Sequence, residues 1–304
     1  MRATPSVRLP AMAVKIKRAE KYGFCAGVRI ADRKVKKFAK EPHPASEAGF
    51  ILGQVVHNER VVEEMEDLGV HTVQAMDEVP QGTIVFSAHG VPPSFHAEAR
   101  RRGLNVLDTT CPFVYDIHDE AMEALAGGAH LVFVGDPKHR EVIGYTRDLD
   151  PGCYHVLTSI AEAETVDWSR YPRVKLLYQT TLNAEDFEDL ARFIEGRVPA
   201  TSRADTICYA TKENQDAARA LASDPEVGLI LVVGGKKSAN THHLWEICAR
   251  YKPSHLIQGP ADLDPAWFEG VGTVGITAGA STPDYVIDEV EAAIERLAAA
   301  TARA

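Results

Sequence analysis

Three cysteines share one local setting. Cys25, Cys111 and Cys208 stand in "GFCAGV", "DTTCPF" and "DTICYA". Each falls where a strand pattern ends and a helical pattern begins. Three thiolates can hold zinc or an iron–sulfur cluster. Structural zinc generally uses C-x2-C pairs, and this chain has none. A cube ligated by three cysteines keeps one iron open to a substrate oxygen. The competing reading is three small residues packed at helix starts, since free cysteine is often a core residue. Spacing alone leaves both open. Cys153, in "DPGCYH", and Cys248, in "LWEICARY", stand outside the pattern and read as a loop residue and a packed helix residue.

Polar loops recur with the cysteines. After each cysteine come a helical pattern and a strand ending in "LGQVVHNE" (52–59), "VGDPKHRE" (134–141) or "VGGKKSAN" (233–240). Further on, a second strand ends in "FSAHGVPP" (86–93), "YQTTLNAE" (178–185) or "ITAGASTP" (276–283). These loops supply His57, Asn58, His89, His139, Thr180, Thr181, Ser238, Asn240 and Ser281. Nearly all are neutral hydrogen-bonding groups at helix starts, where backbone N–H groups and the helix dipole favour anions. A phosphate or diphosphate fits such a set. Any one of them alone reads equally as a satisfied loop histidine or a helix cap. Recurrence at equivalent places in three units is what argues for a shared pocket. Glu141 follows His139 by two residues. It reads as a first-turn carboxylate complementing the dipole, or as a proton donor in an anionic pocket. His71, His96, His118, His130, His155 and His255 lie outside these loops and read as ordinary. His242 and His243 follow the third-unit loop and read as a solvated or packed helix face, or else as residues approaching the pocket.

The elements that must position these residues alternate along the chain. "HLVFVG" (130–135), "VKLLYQ" (174–179), "GLILVVGG" (228–235) and "TVGITAG" (273–279) read as buried parallel strands. "ERVVEEMEDLG" (59–69), "EDFEDLARFIEG" (185–196) and "DYVIDEVEAAIERLAAA" (284–300) read as amphipathic helices. The fold class is α/β with mostly parallel sheets. Three units are expected, 1–110, 111–207 and 208–304, with residues 1–11 a loose tail. All the loops lie at carboxyl ends of strands, where open parallel sheets bind ligands. A pseudo-threefold arrangement of the units would gather the three cysteines at one centre.

Composition narrows the function. The net charge of −10 argues against nucleic-acid or anionic-membrane binding as the main role. No apolar run reaches the ~18–20 residues of a spanning helix, and the start lacks the apolar core of a secretory signal. Five cysteines are too few for a disulfide scaffold and point to a reducing cytoplasm. The chain is read as lacking a dinucleotide fingerprint of its own.

At this point the sequence resembles the 4-hydroxy-3-methylbut-2-enyl diphosphate reductase family. The motifs are "GFCAGV", "VVHN", "FSAHGV", "TCP", "HREVIG", "QTTL", "ICYAT", "KKSAN" and "TAGASTPD", in the family's order. The resemblance implies a trefoil of three α/β units around a central [4Fe-4S] cluster held by Cys25, Cys111 and Cys208. It implies diphosphate contacts from His57, His89, Ser238, Asn240 and Ser281, with His139 in the same pocket. Thr180 matches the hydroxyl near the substrate's alcohol, Thr181 is a second candidate beside it, and Glu141 matches the proton donor. The implied reaction is reductive dehydroxylation of (E)-4-hydroxy-3-methylbut-2-enyl diphosphate to isopentenyl and dimethylallyl diphosphate, the last step of the non-mevalonate pathway. An external one-electron donor, a ferredoxin or flavodoxin, is implied as well. The chain departs from the family at Ala239, where a serine is common, at Arg140 in place of proline, and at Tyr145 in place of threonine. Two rivals stand beside this reading: a zinc hydrolase or lyase on the same cysteines, and a non-catalytic iron–sulfur sensor of a phosphorylated effector.

Overall fold

The computed structural model describes residues 14–42 and 48–301; the expected tail at 1–11 lies outside the described residues. The chain opens with β1 (Lys15–Arg18), α1 (Ala26–Lys40), β2 (Gly49–Leu52), α2 (Glu59–Asp67), β3 (Val70–Val73), β4 (Thr83–Phe86), α3 (Pro93–Arg101) and β5 (Asn105–Asp108). It continues with α4 (Pro112–Ala126), β6 (His130–Val134), α5 (Arg140–Thr146), β7 (Tyr154–Leu157), α6 (Ile160–Glu164), β8 (Val174–Tyr178), α7 (Glu188–Arg197) and β9 (Thr201–Arg203). It ends with α8 (Tyr209–Ser223), β10 (Leu229–Val233), α9 (Ala239–Ala249), β11 (Ser254–Ile257), β12 (Thr273–Ala278) and α10 (Asp284–Thr301). The helix expected over 185–196 begins as a 3-10 turn, Ala184–Phe187, before α7.

All pairings are parallel, in three four-stranded sheets. The strand orders are β3-β2-β4-β5, β7-β6-β8-β9 and β11-β10-β12-β1. They are the same order three times, and this is the pseudo-threefold. Strands β4, β6, β10 and β12 are buried along their whole length, as expected of parallel strands covered on both faces.

The third sheet borrows a strand from the segment expected to form the first unit. Its fourth strand is β1, from the other end of the chain, with Lys15 opposite Thr273 and Arg18 opposite Ile276. Strand β1 thus takes the place that β5 and β9 hold in the other sheets. The physical reason is that three equivalent sheets each need a fourth strand, and the chain after β12 supplies a helix.

Each cysteine therefore sits on a seam. It follows the fourth strand of one sheet and starts a helix that covers the next. Ala31 and Val35 of α1 pack with Ile51 and Val85 of the first sheet. Val114 and Ile117 of α4 pack with Leu131, Phe133 and Leu177 of the second. Ala218 and Leu221 of α8 pack with Ile230 and Val232 of the third, where Cys248 is also buried. Burying each large apolar side chain stabilises by about 1.5–3 kcal/mol. Truncating Phe133, which is fully buried at the second seam, would cost about 3–5 kcal/mol.

Candidate active site

In each sheet the order in which strands are added reverses between two central, parallel strands: β2 and β4, β6 and β8, β10 and β12. The crevice past the carboxyl ends of such a pair is where open α/β sheets bind ligands. The six polar loops leave these six strands. Cys25, Cys111 and Cys208 occupy the N-cap positions of α1, α4 and α8. Their backbones are pinned in equivalent ways. Cys25 N donates to Ala280 O at 3.2 Å, Cys111 N to Ala88 O at 3.1 Å and Cys208 N to Thr180 O at 3.1 Å. Each acceptor lies in the loop after the neighbouring central strand.

One hollow is lined by all twelve expected site residues: Cys25, Cys111, Cys208, His57, His89, His139, Glu141, Thr180, Thr181, Ser238, Asn240 and Ser281. Asn58 is not among them. Its Oδ1 caps α2 by accepting from Arg60 N at 3.0 Å and Val61 N at 3.4 Å. Cys153 and Cys248 do not line the hollow either; burial of Cys248 pushes its thiol up to about 12. Cys25 Sγ accepts from Val28 N at 3.4 Å. A Cβ on Gly27 would lie 2.7 Å from Cys111 Sγ and 4.0 Å from Cys25 Sγ, so only glycine lets the two thiols approach across this helix turn. Burial raises the Cys25 and Cys111 thiols; the charges of neighbouring cysteines raise them further, while local backbone N–H groups oppose the rise. Three thiolates gathered here need a cation among them. Among the described residues, no three His, Cys, Asp or Glu side chains stand close enough to hold a single metal ion.

Three imidazoles form one wall. Ring centroids of His57 and His89 are 4.3 Å apart, and His139 lies 5.5 Å and 5.8 Å from them. Burial lowers all three pKa values, that of His139 to about 4, and mutual repulsion lowers His89 and His139 further. The rings are neutral at pH 7. His139 Nδ1 accepts from Glu141 N at 3.3 Å, which puts the proton of the neutral ring on Nε2. His89 Nδ1 and both carboxamide atoms of Asn240 are buried without a hydrogen-bond partner among the described residues. Buried polar atoms are normally paired, so these await a ligand with matching groups. Ser238 caps α9 by accepting from Thr241 N at 3.3 Å, and Ser281 Oγ donates to His57 O at 3.1 Å. Ala239 also lines the hollow, contributing backbone and a methyl group there.

Glu141 and Thr180 are coupled. Thr180 N donates to Glu141 Oε1 at 2.7 Å and Thr180 Oγ1 to Oε2 at 2.6 Å. Glu141 is 1% exposed. Burial pushes its carboxyl up to about 7, against the two bonds from Thr180, which favour the charged form. Gln179, which sequence reasoning missed, bridges two loops: its Oε1 accepts from Asp136 N at 3.1 Å and its Nε2 donates to Thr181 Oγ1 at 2.8 Å. Its place directly before "TTL" was the available signal. Thr211, in the first turn of α8, lines the hollow too. His96 and His118, read as ordinary, line a side cavity of about 350 Å3 next to His89, together with the buried Tyr145. Arg140 does not line the hollow: its guanidinium donates to Gln74 Oε1 at 3.3 Å, while its charge helps to lower His57 and His89. The spacing G-x-G-x-x-G does occur, at Gly270, Gly272 and Gly275, against expectation. It runs into β12 instead of leading from strand to helix, and so lacks the context of a dinucleotide fingerprint.

Comparison with known proteins agrees with this geometry. The family model described as "LytB protein" matches residues 16–295. A 4-hydroxy-3-methylbut-2-enyl diphosphate reductase of Actinobacillus pleuropneumoniae is 40% identical over 281 residues, 90% of this chain and 87% of that protein. The enzyme of the same name from Xanthomonas oryzae is 37% identical over 289 residues, 92% of this chain and 90% of its own. Among solved structures, the E-1-hydroxy-2-methyl-but-2-enyl-4-diphosphate reductase of Plasmodium falciparum superposes with a TM-score of 0.85 at 25% identity, over 92% of this chain and 87% of that one. A second structure, described as (E)-4-hydroxy-3-methyl-but-2-enyl diphosphate reductase, the terminal enzyme of the non-mevalonate pathway, gives 0.68 at 34% identity, over 93% and 99%. The chain belongs to the LytB protein family.

Proposed function

We propose that this chain reduces (E)-4-hydroxy-3-methylbut-2-enyl diphosphate to isopentenyl and dimethylallyl diphosphate. The carrying observation is the convergence of three thiols at helix N-cap positions, three neutral histidines and a buried Glu141–Thr180 pair in one hollow. In the overall reaction the C–O bond of the alcohol breaks, two electrons and two protons enter, and water leaves. Cys25, Cys111 and Cys208 are the residues to hold a [4Fe-4S] cluster; their spread around the hollow suits a polynuclear group better than one ion. When bound, that cluster supplies the electrons and an open coordination position for the substrate oxygen.

The chain's own residues bind and protonate. His57, His89, His139, Ser238, Asn240 and Ser281 hold the diphosphate, and its charge favours protonated imidazoles. Glu141 keeps its proton up to about pH 7 in the free protein. A nearby diphosphate repels the carboxylate and holds that proton to higher pH still. Thr180 Oγ1, bonded to Glu141 Oε2, carries the proton toward the leaving oxygen; Thr181 stands beside it. The chain comprises three α/β units, 1–110, 111–207 and 208–304, with β1 lent to the third. No helix among the described residues is long and apolar enough to cross a membrane, and the five cysteines are free. Both features suit an enzyme of a reducing cytoplasm fed by a ferredoxin or flavodoxin.

The test is an anaerobic preparation assayed for iron, sulfide and turnover of the alcohol with a chemical reductant. Iron and sulfide lost on Cys25→Ser, Cys111→Ser or Cys208→Ser, but kept in Cys153→Ser and Cys248→Ser, supports the reading. Zinc in place of iron, or a loaded cluster with no turnover, overturns it.

A further inference from the structure

The helix that Cys25 caps has an unusual charge. In a chain of net charge −10, α1 carries Arg29, Arg33, Lys34, Lys36, Lys37 and Lys40 against one acid, Asp32. Asp32 is buried and paired with Lys36. Ala31 and Val35 face the first sheet. Arg29, Ile30, Arg33, Lys34, Lys37 and Lys40 are all exposed, and their spacing of three and four places them on one face. Among the described residues, no carboxylate lies within ion-pair distance of Arg33 or Lys34. Arg33 Nε donates to Arg29 O at 3.1 Å and Lys34 Nζ to Asp108 O at 2.8 Å. The pair Arg29–Asp284 at 3.1 Å is exposed on both sides and neutralises little.

This face adjoins an exposed apolar set. Each cysteine-capped helix bares one large apolar side chain in its first two turns: Ile30 on α1 (36% exposed), Tyr115 on α4 (44%) and Tyr209 on α8 (58%). Asp108 links α1 to α4, because it receives Lys34 Nζ on its carbonyl and Tyr115 OH on its carboxylate. Tyr209 follows Cys208 directly. It thus opens the helix that Cys208 begins, as Ile30 and Tyr115 lie within the first two turns of the helices that Cys25 and Cys111 begin. On α4 the exposed charges are acidic, Asp116 and Asp119, which gives the surface a polarity.

We propose that the exposed face of α1, with Ile30, Tyr115 and Tyr209, is the docking surface for an acidic one-electron carrier protein. The proposal rests on the reductase reading, which needs two single electrons per turnover from outside. It adds where they enter: over the exposed side of the helices that the three cysteines begin. Charge complementarity selects the occupant. An acidic rim meets α1 and avoids Asp116 and Asp119, while the tyrosines supply the packed centre that interfaces favour. Electron-transfer encounters bury less than about 1,200 Å2, and α1 alone is about 22 Å long.

The test uses the cluster-loaded protein and flavodoxin as the carrier. Affinity is measured calorimetrically at low and high salt for wild type, for Arg33→Glu with Lys37→Glu, and for Arg192→Glu on α7 as a distant charge reversal. The expected result is about a 10-fold or greater loss for the double variant at low salt, converging on wild type as salt screens the charges. Arg192→Glu, iron content and turnover with dithionite should match wild type. Unchanged affinity in the double variant, an equal loss in Arg192→Glu, or anionic vesicles or duplex DNA bound as tightly as flavodoxin would overturn the proposal. Dithionite turnover in wild type decides the reductase reading separately, and the binding result stands on its own.

Discussion

Glu141 shows how burial turns a carboxylate into an acid useful near neutrality. Its pKa rises from 4.5 to about 7 through desolvation, although Thr180 donates to it twice. Glu141→Gln keeps the shape and loses the acidic proton, so kcat should fall by ~10²–10⁴ with cluster absorbance unchanged. Stability should shift as well. The folded pKa lies above the unfolded one, so the contribution of Glu141 is fully present below 4.5 and is lost as pH rises through about 7. The shift corresponds to roughly 3 kcal/mol. In unfolding experiments on the apoprotein, Glu141→Gln should gain on wild type between about pH 4.5 and 7 and hold that gain above; a constant difference throughout would refute the buried, neutral acid. Asn240 behaves differently. Its two buried, unpartnered carboxamide atoms make Asn240→Ala neutral or stabilising for the free protein, yet it should weaken substrate binding by about 1–3 kcal/mol. Calorimetry of substrate binding beside a melting curve separates the two. The sequence treated Asn58 and Asn240 alike, as polar residues at helix starts. Only three-dimensional placement assigns Asn58 to its own helix and leaves Asn240 free, because a side chain's partner is set by the neighbouring loop.

The three helices that begin with cysteine are the elements that make the centre. Their strand-to-helix junctions were legible, since an N-cap is a local feature written in a few residues. The close approach at Gly27 was not, because the atom it makes room for belongs to residue 111. Gly27→Ala would place a methyl group 2.7 Å from Cys111 Sγ. Iron per chain should drop well below wild type while far-UV circular dichroism is retained, since α1 tolerates alanine. Full iron loading in Gly27→Ala would show that the thiols gather by another route. The same contrast holds for strands. Continuous apolar runs announced β6, β8, β10 and β12, whereas the short polar strands β1 and β9 carry little periodicity and take their places from the sheets they complete.

For the whole molecule, the alternation of strands and helices revealed three parallel units, but not that the last is completed by the first strand. Pairing over such a sequence distance leaves no local trace. Removing the residues through Arg18 should expose the edge of β12 and its buried Val274 and Ile276. Limited proteolysis should then cut first in the third unit, and light scattering should report association through the open edge. Unaltered proteolysis and scattering would mean that β1 is dispensable. The closure also sets a timetable for biosynthesis. A ribosome delivers β1 more than 250 residues before its partner β12, and Cys25 N waits for Ala280 O. A nascent chain stalled after Cys208 holds all three thiols and the acceptors for Cys111 and Cys208, but not the loop that pins Cys25. The full gathering of the three thiols is therefore expected only once β12 has been made, and a cell making this chain must keep Cys25 reduced and unassembled until then.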